Sequence, residues 1–180
     1  MKKSRQSAAF TLLELLMVIV IIACLTALLS PAIVVVRQKA GSAVCMTNLR
    51  KIGIAGILYA SEHDQKTPTI EPWPSQPVYS SEANAGNLLD VLKPYGVTVE
   101  TLKCRSDING PNYFAKEGSS YEWCPMANGQ NVQAPRLTMG PDVNGVSIPM
   151  SRVLMAFDYT NVHNQASNVL FGDGHVAPAN

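Results

Sequence analysis

An uncharged run of 22 residues near the N-terminus constrains the structure of this chain more than any other feature. The run lies between Glu14 and Arg37. As a helix it would be about 33 Å long, which is enough to cross the hydrocarbon core of a bilayer. The run predicts a transmembrane helix over 10–36 and excludes an ordinary cytosolic globular protein.

The charges around this run predict its orientation. Residues 1–6 carry three basic side chains and no acidic one, and the positive-inside rule keeps such a segment in the cytoplasm. We therefore expect a single-pass protein of the inner (cytoplasmic) membrane, with a cytoplasmic leader peptide over 1–9 and a C-terminal domain that is periplasmic or extracellular. A secretory signal peptide would instead have a shorter apolar core followed by small residues.

The rest of the chain has neither the charge of a nucleic-acid-binding protein nor the motifs of an enzyme. Residues 37–180 carry 11 Lys and Arg against 12 Asp and Glu, so no basic surplus is available to neutralise phosphates. No nucleophile elbow, phosphate loop or zinc-protease helix occurs in the sequence. We expect a protein that is not an enzyme and does not bind nucleic acid.

Hydrophobic periodicity extends the helix beyond the membrane, with one mostly apolar face over 37–63. This face comprises Cys45, Leu49, Ile52, Gly56 and Tyr59. The other faces include Thr47, Asn48, Arg50 and Lys51. We predict one helix from residue 10 to about residue 61, whose amphipathic continuation over 37–63 is covered by a globular region over 64–180.

The sequence of the globular region predicts only short secondary-structure elements. Four prolines over 67–77 predict an extended surface loop, and residues 87–93 predict a short helix that Pro94 stops. Strands are predicted over 120–124, 152–158 and 168–177. The predicted fold class is α+β, with a long N-terminal helix packed against a small antiparallel sheet.

The junction between the leader and the apolar run has a distinctive order of residues. A basic leader and small residues precede Phe10, which begins the string Phe-Thr-Leu-Leu-Glu-Leu, and Pro31 follows within the run. This order resembles the processing site of type IV pilins and of the pseudopilins of type II secretion. The resemblance implies a pilin-like fold, cleavage by prepilin peptidase between Ala9 and Phe10, and methylation of the new amine of Phe10. The family usually has Gly before the cut, and we expect Ala9 to slow cleavage rather than prevent it.

Glu14 and Pro31 are the unusual residues of the apolar segment. A carboxylate at the centre of a membrane helix costs about 2.5–3.5 kcal/mol, and less near the edge, so such a residue usually has a partner. In one interpretation Glu14 extends to the membrane interface. The resemblance implies instead that Glu14 pairs with the free amine of Phe10 of a neighbouring subunit. Pro31 removes one backbone donor and is expected to kink or loosen the helix.

The function implied by the resemblance is that of a structural subunit of a type II secretion or type IV pilus-like filament. Its partners would be prepilin peptidase, other pilin or pseudopilin subunits and the assembly machinery of the inner membrane. One alternative is a membrane-anchored binding protein or minor tip subunit, which would recognise a secreted substrate or a surface glycan through the loop around Trp73. Another is an anchored hydrolase that uses Asp and His side chains near the C-terminus.

A second resemblance extends along the rest of the chain. His163 is followed by nine residues and then by Asp173 and Gly174, a spacing that resembles the processing-associated H-x(9)-D-G motif of some pilin-like proteins. Two further segments that resemble these proteins are Cys45-Met46-Thr47-Asn48-Leu49-Arg50 and Cys104-Arg105-Ser106-Asp107. Arg105 stands where the family usually has Pro.

The four cysteines are predicted to lie in two environments, the membrane and the oxidising compartment beyond it. Cys24 lies in the predicted span, whereas Cys45, Cys104 and Cys124 lie on the oxidising side, where disulfides persist. One disulfide and one free thiol is the simplest arrangement. Because Cys45 and Cys104 fall on the two cysteine-containing segments that resemble the family, the resemblance implies a disulfide between them. A bond between Cys104 and Cys124, or three reduced thiols, are the alternatives.

The acidic and histidine side chains near the last predicted strands admit two interpretations. They are Asp158, His163, Asp173 and His175. In the first they bind a metal ion, and the related pseudopilins suggest Ca²⁺ with Asp158 and Asp173 as ligands. In the second, Asp173 accepts hydrogen bonds from backbone amides in a turn whose glycines take positive φ. We expect the turn and no cofactor. The sequences 107–110 and 142–145 faintly resemble Ca²⁺-binding loops, and we expect Asx turns there instead.

Overall fold

A computed structural model of the protein describes residues 11–71, 86–108, 110–137, 146–159 and 167–179. The chain consists of two compact units, Met1–Lys39 and Ala40–Asn180. A single helix, α1, extends from Leu12 to Glu62 and contributes residues to both units. The prediction of one long N-terminal helix is confirmed, although its first predicted residue, Phe10, lies outside the described residues.

The described part of the first unit is the N-terminal stretch of α1. Every large apolar side chain that the structure describes from Leu12 to Val36 is exposed. Pro31 lies within the helix, and the kink expected there stays a prediction. Among the helices of the described residues, none is both long enough and apolar enough to cross a membrane.

The second unit combines the C-terminal part of α1 with short helices and strands. The short helices are α2 (Leu88–Leu92), α3 (Arg105–Ile108) and α4 (Tyr113–Glu117). The strands are β1 (Tyr121–Trp123), β2 (Arg136–Leu137), β3 (Val146–Ser147), β4 (Leu154–Asp158), β5 (Ser167–Phe171) and β6 (Val176–Ala179). An antiparallel sheet has the order β1, β4, β5, β6, and β2 pairs with β3 in a separate ribbon. The fold is α+β, as predicted.

Two of the three predicted strands are confirmed, since the predictions at 120–124 and 152–158 correspond to β1 and β4. The third is wrong, because 168–177 is not one strand but most of the hairpin formed by β5 and β6. The backbone N–H of Phe171 donates to the carbonyl of His175 at 2.9 Å, and Gly174 has a φ of +88°. This φ favours glycine and reverses the chain.

The core of the second unit lies between α1 and the four-stranded sheet. Cys45, Leu49 and Ile52 on α1 are fully buried, which confirms the predicted apolar face. Trp123 in β1 and Met155 in β4 are buried in the same cluster. The amphipathic part of α1 therefore provides one complete side of this core.

Two glycines let α1 approach the sheet closely. A Cβ atom at Gly53 would lie 2.7 Å from Cδ1 of Leu170 in β5, and one at Gly56 would lie 3.1 Å from Cε of Met155 in β4. Glycine lowers helix propensity by about 1 kcal/mol relative to Ala, so the helical pattern alone gives no reason for two of them within one turn. The close packing supplies that reason.

One polar residue lies on the wrong face of the predicted helix. Asn48 was expected on an outer face, yet it is buried. Its side-chain amide donates to the carbonyl of Lys103 at 3.1 Å and to the hydroxyl of Tyr121 at 3.2 Å. The burial costs little because both amide donors have acceptors.

The predicted surface loop over 67–77 begins inside the protein. Thr67, Pro68 and Ile70 are buried, and the backbone N–H of Ile70 donates to the side chain of Asn128 at 3.0 Å. Buried apolar surface and satisfied backbone groups therefore hold this stretch in the core. Residues 72–77 lie outside the described part of the chain.

The predicted helix over 87–93 is confirmed as α2, which begins after the capping side chain of Asn87. Pro94 does not stop the helical backbone at once, because Lys93–Tyr95 continue it as a 3₁₀ turn. Gly96 then ends that turn with a φ of +92°. Proline is tolerated here because it occupies the first turn of the 3₁₀ segment.

Substitution of two isoleucines of α1 tests which face of the helix packs on the core of the second unit. Ile52 is fully buried and Ile54 is 57% exposed. We expect Ile52→Ala to lower the free energy of unfolding by about 2–5 kcal/mol, because it leaves a cavity in the core. Ile54→Ala should change it by less than about 0.5 kcal/mol. Denaturant unfolding of the full-length chain, followed by tryptophan fluorescence, measures both, and equal losses would contradict the assigned orientation.

Candidate functional site

The N-terminus of α1 is closed by a reciprocal set of hydrogen bonds between two side chains. Oε2 of Glu14 accepts from the backbone N–H of Thr11 at 3.0 Å and from its hydroxyl at 2.9 Å. The backbone N–H of Glu14 donates to Oγ1 of Thr11 at 3.2 Å. This arrangement is a capping box, which satisfies free donors at a helix start and places a negative charge at the positive end of the helix dipole.

The capping box gives Glu14 a partner within its own chain. Sequence reasoning considered only the membrane interface and a neighbouring subunit, although a Thr followed three residues later by Glu is a recognisable capping signal. The cleavage residues Ala9 and Phe10 lie outside the described residues, so cleavage and methylation stay predictions. The backbone of Pro31 lies within α1.

The side of α1 that faces away from the core in the second unit carries large apolar side chains among polar and basic ones. We call Val44, Ile54, Ile57 and Leu58 the outer strip, and these side chains are 41–57% exposed. Large apolar side chains grouped on one helix face mark an interaction surface more often than single exposed residues do. The strip therefore gives α1 a second set of apolar side chains that its own subunit leaves in solvent.

A disulfide joins α1 to the segment before α3. Cys45 and Cys104 are bonded, with their Cα atoms 5.4 Å apart, and this is the pairing that the family resemblance implied. Cys124 is free and buried, and Cys24 is free and exposed. The bond closes a loop with a sequence separation of 59, which in the chain-entropy account stabilises the folded state by about 4 kcal/mol.

Asp107 organises the chain beyond this disulfide. Its carboxylate accepts from the backbone N–H groups of Tyr113 at 2.8 Å and Phe114 at 2.9 Å, and from the hydroxyl of Ser120 at 2.7 Å. Oγ of Ser120 accepts in turn from the backbone N–H of Cys104 at 3.0 Å. The fully buried carboxylate of Asp107 thus binds the first backbone N–H groups of α4. The Asx turn expected at 107–110 stays a prediction, because its donor, Asn109, lies outside the described residues. The similar sequence at 142–145 lies outside the described residues.

Asp158, one of the two candidate metal ligands, is fully buried in β4. Its carboxylate accepts from the backbone N–H and from the side-chain amide of Asn168 in β5. The amide oxygen of Asn168 accepts from the hydroxyl of Ser42 on α1 at 3.3 Å. These bonds give the carboxylate a structural role, since they link the helix to two strands.

Asp173, the other candidate ligand, lies in the turn between β5 and β6. Its Oδ1 accepts from the backbone N–H of His175 at 3.1 Å and contacts Nδ1 of the same residue. Partial burial raises the pKa of Asp173, but the hydrogen bonds from His175 outweigh this effect and hold the pKa below its usual value. This geometry is that of the predicted turn, with Gly174 at positive φ, whereas Gly172 does not take the positive φ that was predicted for it.

Three members of the predicted metal-binding cluster, Asp158, Asp173 and His175, lie among the described residues. Within residues 11–71, 86–108, 110–137, 146–159 and 167–179, no group of three or more His, Cys, Asp or Glu side chains is placed to hold a metal ion. His163 and Trp73 lie outside these residues. Ca²⁺ binding stays a prediction, and the hydrogen bonds from His175 account for the turn around Asp173 without an ion.

The residues that surround the capping box match a known family model. That model describes the prokaryotic N-terminal methylation motif, and it matches residues 4–30. These residues carry a prepilin-type cleavage and methylation site. No curated protein and no solved structure matches the chain.

The methylation motif indicates a precursor that is like a type IV pilin or a pseudopilin. It implies processing by prepilin peptidase, assembly with other pilin subunits and a membrane-associated N-terminal anchor. It also favours a structural subunit over an enzyme. The match ends at residue 30, so it does not extend to the H-x(9)-D-G segment.

The turn around Asp173 makes a testable distinction between its two interpretations. We expect Asp173→Ala to lower the free energy of unfolding by about 1 kcal/mol, because the N–H of His175 loses its acceptor. The loss should be the same in EDTA and in millimolar Ca²⁺. Asp90→Ala, at an exposed aspartate of α2, is the matched control and should change stability by less than about 0.5 kcal/mol.

Thermal melts of the full-length chain measure all three proteins under both conditions. A rise in melting temperature of the unmodified chain with Ca²⁺ that disappears in Asp173→Ala would show that Asp173 binds the ion, since a ligand stabilises the state that binds it.

Proposed function

We propose that this chain is a pseudopilin or pilin-like structural subunit of a type II secretion or type IV pilus-like filament. The observation that carries the proposal is the methylation motif over 4–30. Prepilin peptidase removes residues 1–9 and methylates the amine of Phe10. Subunits then leave the inner membrane as their helices bundle, and the second unit forms the outer surface of the filament.

The exposed apolar side chains of the first unit support assembly through α1. From Leu12 to Val36, all the large apolar side chains that the structure describes are exposed. Such a surface is stable in lipid or against other apolar helices, whereas in water it is costly at about 25 cal/mol per Å². In a membrane-anchored subunit this surface lies in lipid, and after assembly it packs against the apolar helices of other subunits.

The outer strip supports the same conclusion within the second unit. Ile54 and Leu58 are about half exposed although they stand one helical turn apart on a helix whose other face is fully buried. Arg50 and Lys51 lie beside them, also exposed. Neighbouring subunits would bury these apolar side chains, while the long side chains of Arg50 and Lys51 extend so that their charged groups keep their solvent.

The capping box prepares Glu14 for a contact between subunits. The bonds with Thr11 use Oε2 of the carboxylate, and a carboxylate has acceptor sites on both oxygens. Oε1 is thus placed to accept the amine of Phe10 of a neighbouring subunit while the cap remains closed. An ion pair of this kind is stronger in an apolar helical bundle than in water, and it would fix the axial register of the filament.

The same assembly defines the topology that we propose. The N-terminus is cytoplasmic, and the second unit is periplasmic or extracellular. The single span over 10–36 is proposed from the uncharged run of the sequence, although no helix of the described residues is long and apolar enough to cross a membrane. The charge of the leader supports this orientation. The Cys45–Cys104 disulfide supports it as well, because disulfides persist mainly in oxidising compartments.

Three variants separate the charge of Glu14 from its capping role. Glu14→Gln keeps an acceptor for Thr11 but removes the charge, and we expect it to be cleaved normally yet to enter filaments roughly tenfold less well. Thr11→Ala opens the cap and keeps the charge, so its effect should be smaller. Glu62→Gln, at the other end of α1, is the matched control and should assemble normally. Cross-linking in membranes and recovery of sheared filaments measure assembly.

Two results would contradict this account of Glu14. Normal incorporation of Glu14→Gln would show that its charge has no role between subunits. An equal loss in Thr11→Ala and Glu14→Gln would show that the cap, rather than an ion pair, is what assembly requires.

A further inference from the structure

A small pocket lies in the second unit between the end of α4 and β1. Its lining includes the acidic side chains of Glu71 and Glu117 and the aromatic side chains of Tyr121, Trp123 and Tyr159. None of the described residues that line it is basic. We propose that this pocket binds a primary ammonium group.

Glu71 supplies the acceptor for such a group. Its Oε1 is buried and has no hydrogen-bond partner among the described residues. The backbone holds this residue in place, because its N–H donates to the carbonyl of Gly86 at 3.0 Å and the preceding Ile70 is fully buried. A carboxylate oxygen that is removed from water without a donor costs free energy, and a cation with N–H donors removes that cost.

Two aromatic rings of the lining are fixed by hydrogen bonds outside the pocket. Nε1 of Trp123 donates to the side chain of Asn128 at 2.8 Å, and the hydroxyl of Tyr121 accepts from Asn48 at 3.2 Å. Neither asparagine lines the pocket. A cation is attracted to the face of an aromatic ring, and most strongly to that of Trp. Fixed aromatic rings beside a carboxylate therefore favour an organic cation.

The electrostatic field around the pocket is negative. Burial raises the pKa of the Tyr159 hydroxyl, and nearby acidic side chains raise it further. The largest of these charge effects comes from Glu117, followed by Glu122 and Asp107. A field that opposes the formation of a negative charge on Tyr159 stabilises a positive charge at the same place.

The size of the pocket selects the kind of cation. The pocket is partly open to solvent, and the space inside it is about that of one water molecule. An ammonium head group has this size and carries three donors, whereas a guanidinium is a wider planar fork. A water molecule would fit as well, but it would leave the negative charge of Glu71 uncompensated.

A divalent metal ion fits the pocket less well than an ammonium group. Ca²⁺ takes six to eight oxygen ligands. In the part of the chain that the structure describes, no group of three or more His, Cys, Asp or Glu side chains is placed to hold a metal ion. The aromatic rings would also contribute nothing to its coordination.

Titration of the full-length chain with n-butylammonium chloride tests the pocket. The chain carries Trp73→Phe, so that Trp123 is its single tryptophan, and it is kept in detergent micelles at constant ionic strength. We expect a saturable change in the fluorescence of Trp123 and a rise in melting temperature, since a ligand stabilises the state that binds it. 1-Butanol, which has the same alkyl chain without the charge, should cause neither.

Two variants connect this binding to Glu71. Glu71→Gln should weaken the binding of butylammonium by roughly tenfold, because the charge of the acceptor is lost. Its melting temperature without the amine should be unchanged or higher, since a buried charge without a partner has been removed. Glu100→Gln removes an exposed carboxylate outside the pocket. This variant is the matched control and should bind like the unmodified chain.

Three results would overturn the proposal. The first is a response to butylammonium that does not saturate. The second is binding by Glu71→Gln that is as tight as that of the unmodified chain. The third is tighter binding of methylguanidinium or of Ca²⁺ than of butylammonium.

Primary ammonium groups occur both on free alkyl amines and on lysine side chains, and cross-linking separates these two sources. A carbodiimide joins a carboxylate to an amine that it contacts, so treated membranes are digested and the peptides that contain Glu71 are identified by mass spectrometry. A bond from Glu71 to a lysine of a second copy, such as the exposed Lys51, would assign the pocket to a protein side chain. Glu71 without a protein cross-link, in a chain that binds butylammonium, would assign it to a free amine.

Discussion

The second unit depends on the packing of its sheet against one face of α1. Gly53 and Gly56 allow the close approach to β5 and β4, and the fully buried Ile52 lies on the same face. The disulfide from Cys45 and the polar contacts of Asn48 anchor the segment before α3 to this face. Because one face of α1 is buried in the core, the outer strip is the part of this helix that other molecules can contact.

Much of this architecture can be predicted from sequence because it rests on local pattern. The apolar spacing along α1 and the alternation in β4 have the periods of a helix and a strand. The roles of Asn48 and Asp107 could not be predicted, because their partners are distant in sequence and polar residues usually mark exposed positions. The turn at Asp173 was predicted, but the strand predicted over 168–177 ran through it, because apolar residues occur both before Gly172 and after His175. The Thr11–Glu14 cap, in contrast, has a local sequence signal.

Two observations point to the function of the chain, one from its N-terminal sequence and one from the surface of α1. The methylation motif identifies how the N-terminus is processed, and the structure shows that α1 exposes many large apolar side chains that its own subunit does not cover. Glu14 introduces a charge into this apolar helix, and the capping box holds it without a second subunit. In the proposed assembly, processing releases the amine of Phe10, and Glu14 of a neighbouring subunit binds that amine as the helices pack.

The mass of the mature protein tests the central claim most directly. Protein extracted from membranes of cells with an active prepilin peptidase is measured intact by mass spectrometry, and its N-terminal peptide is then sequenced. The account predicts a chain that begins at Phe10, with one methyl group on its amine and one disulfide. A chain that retains residues 1–9, or one that is cut at another position, would contradict it.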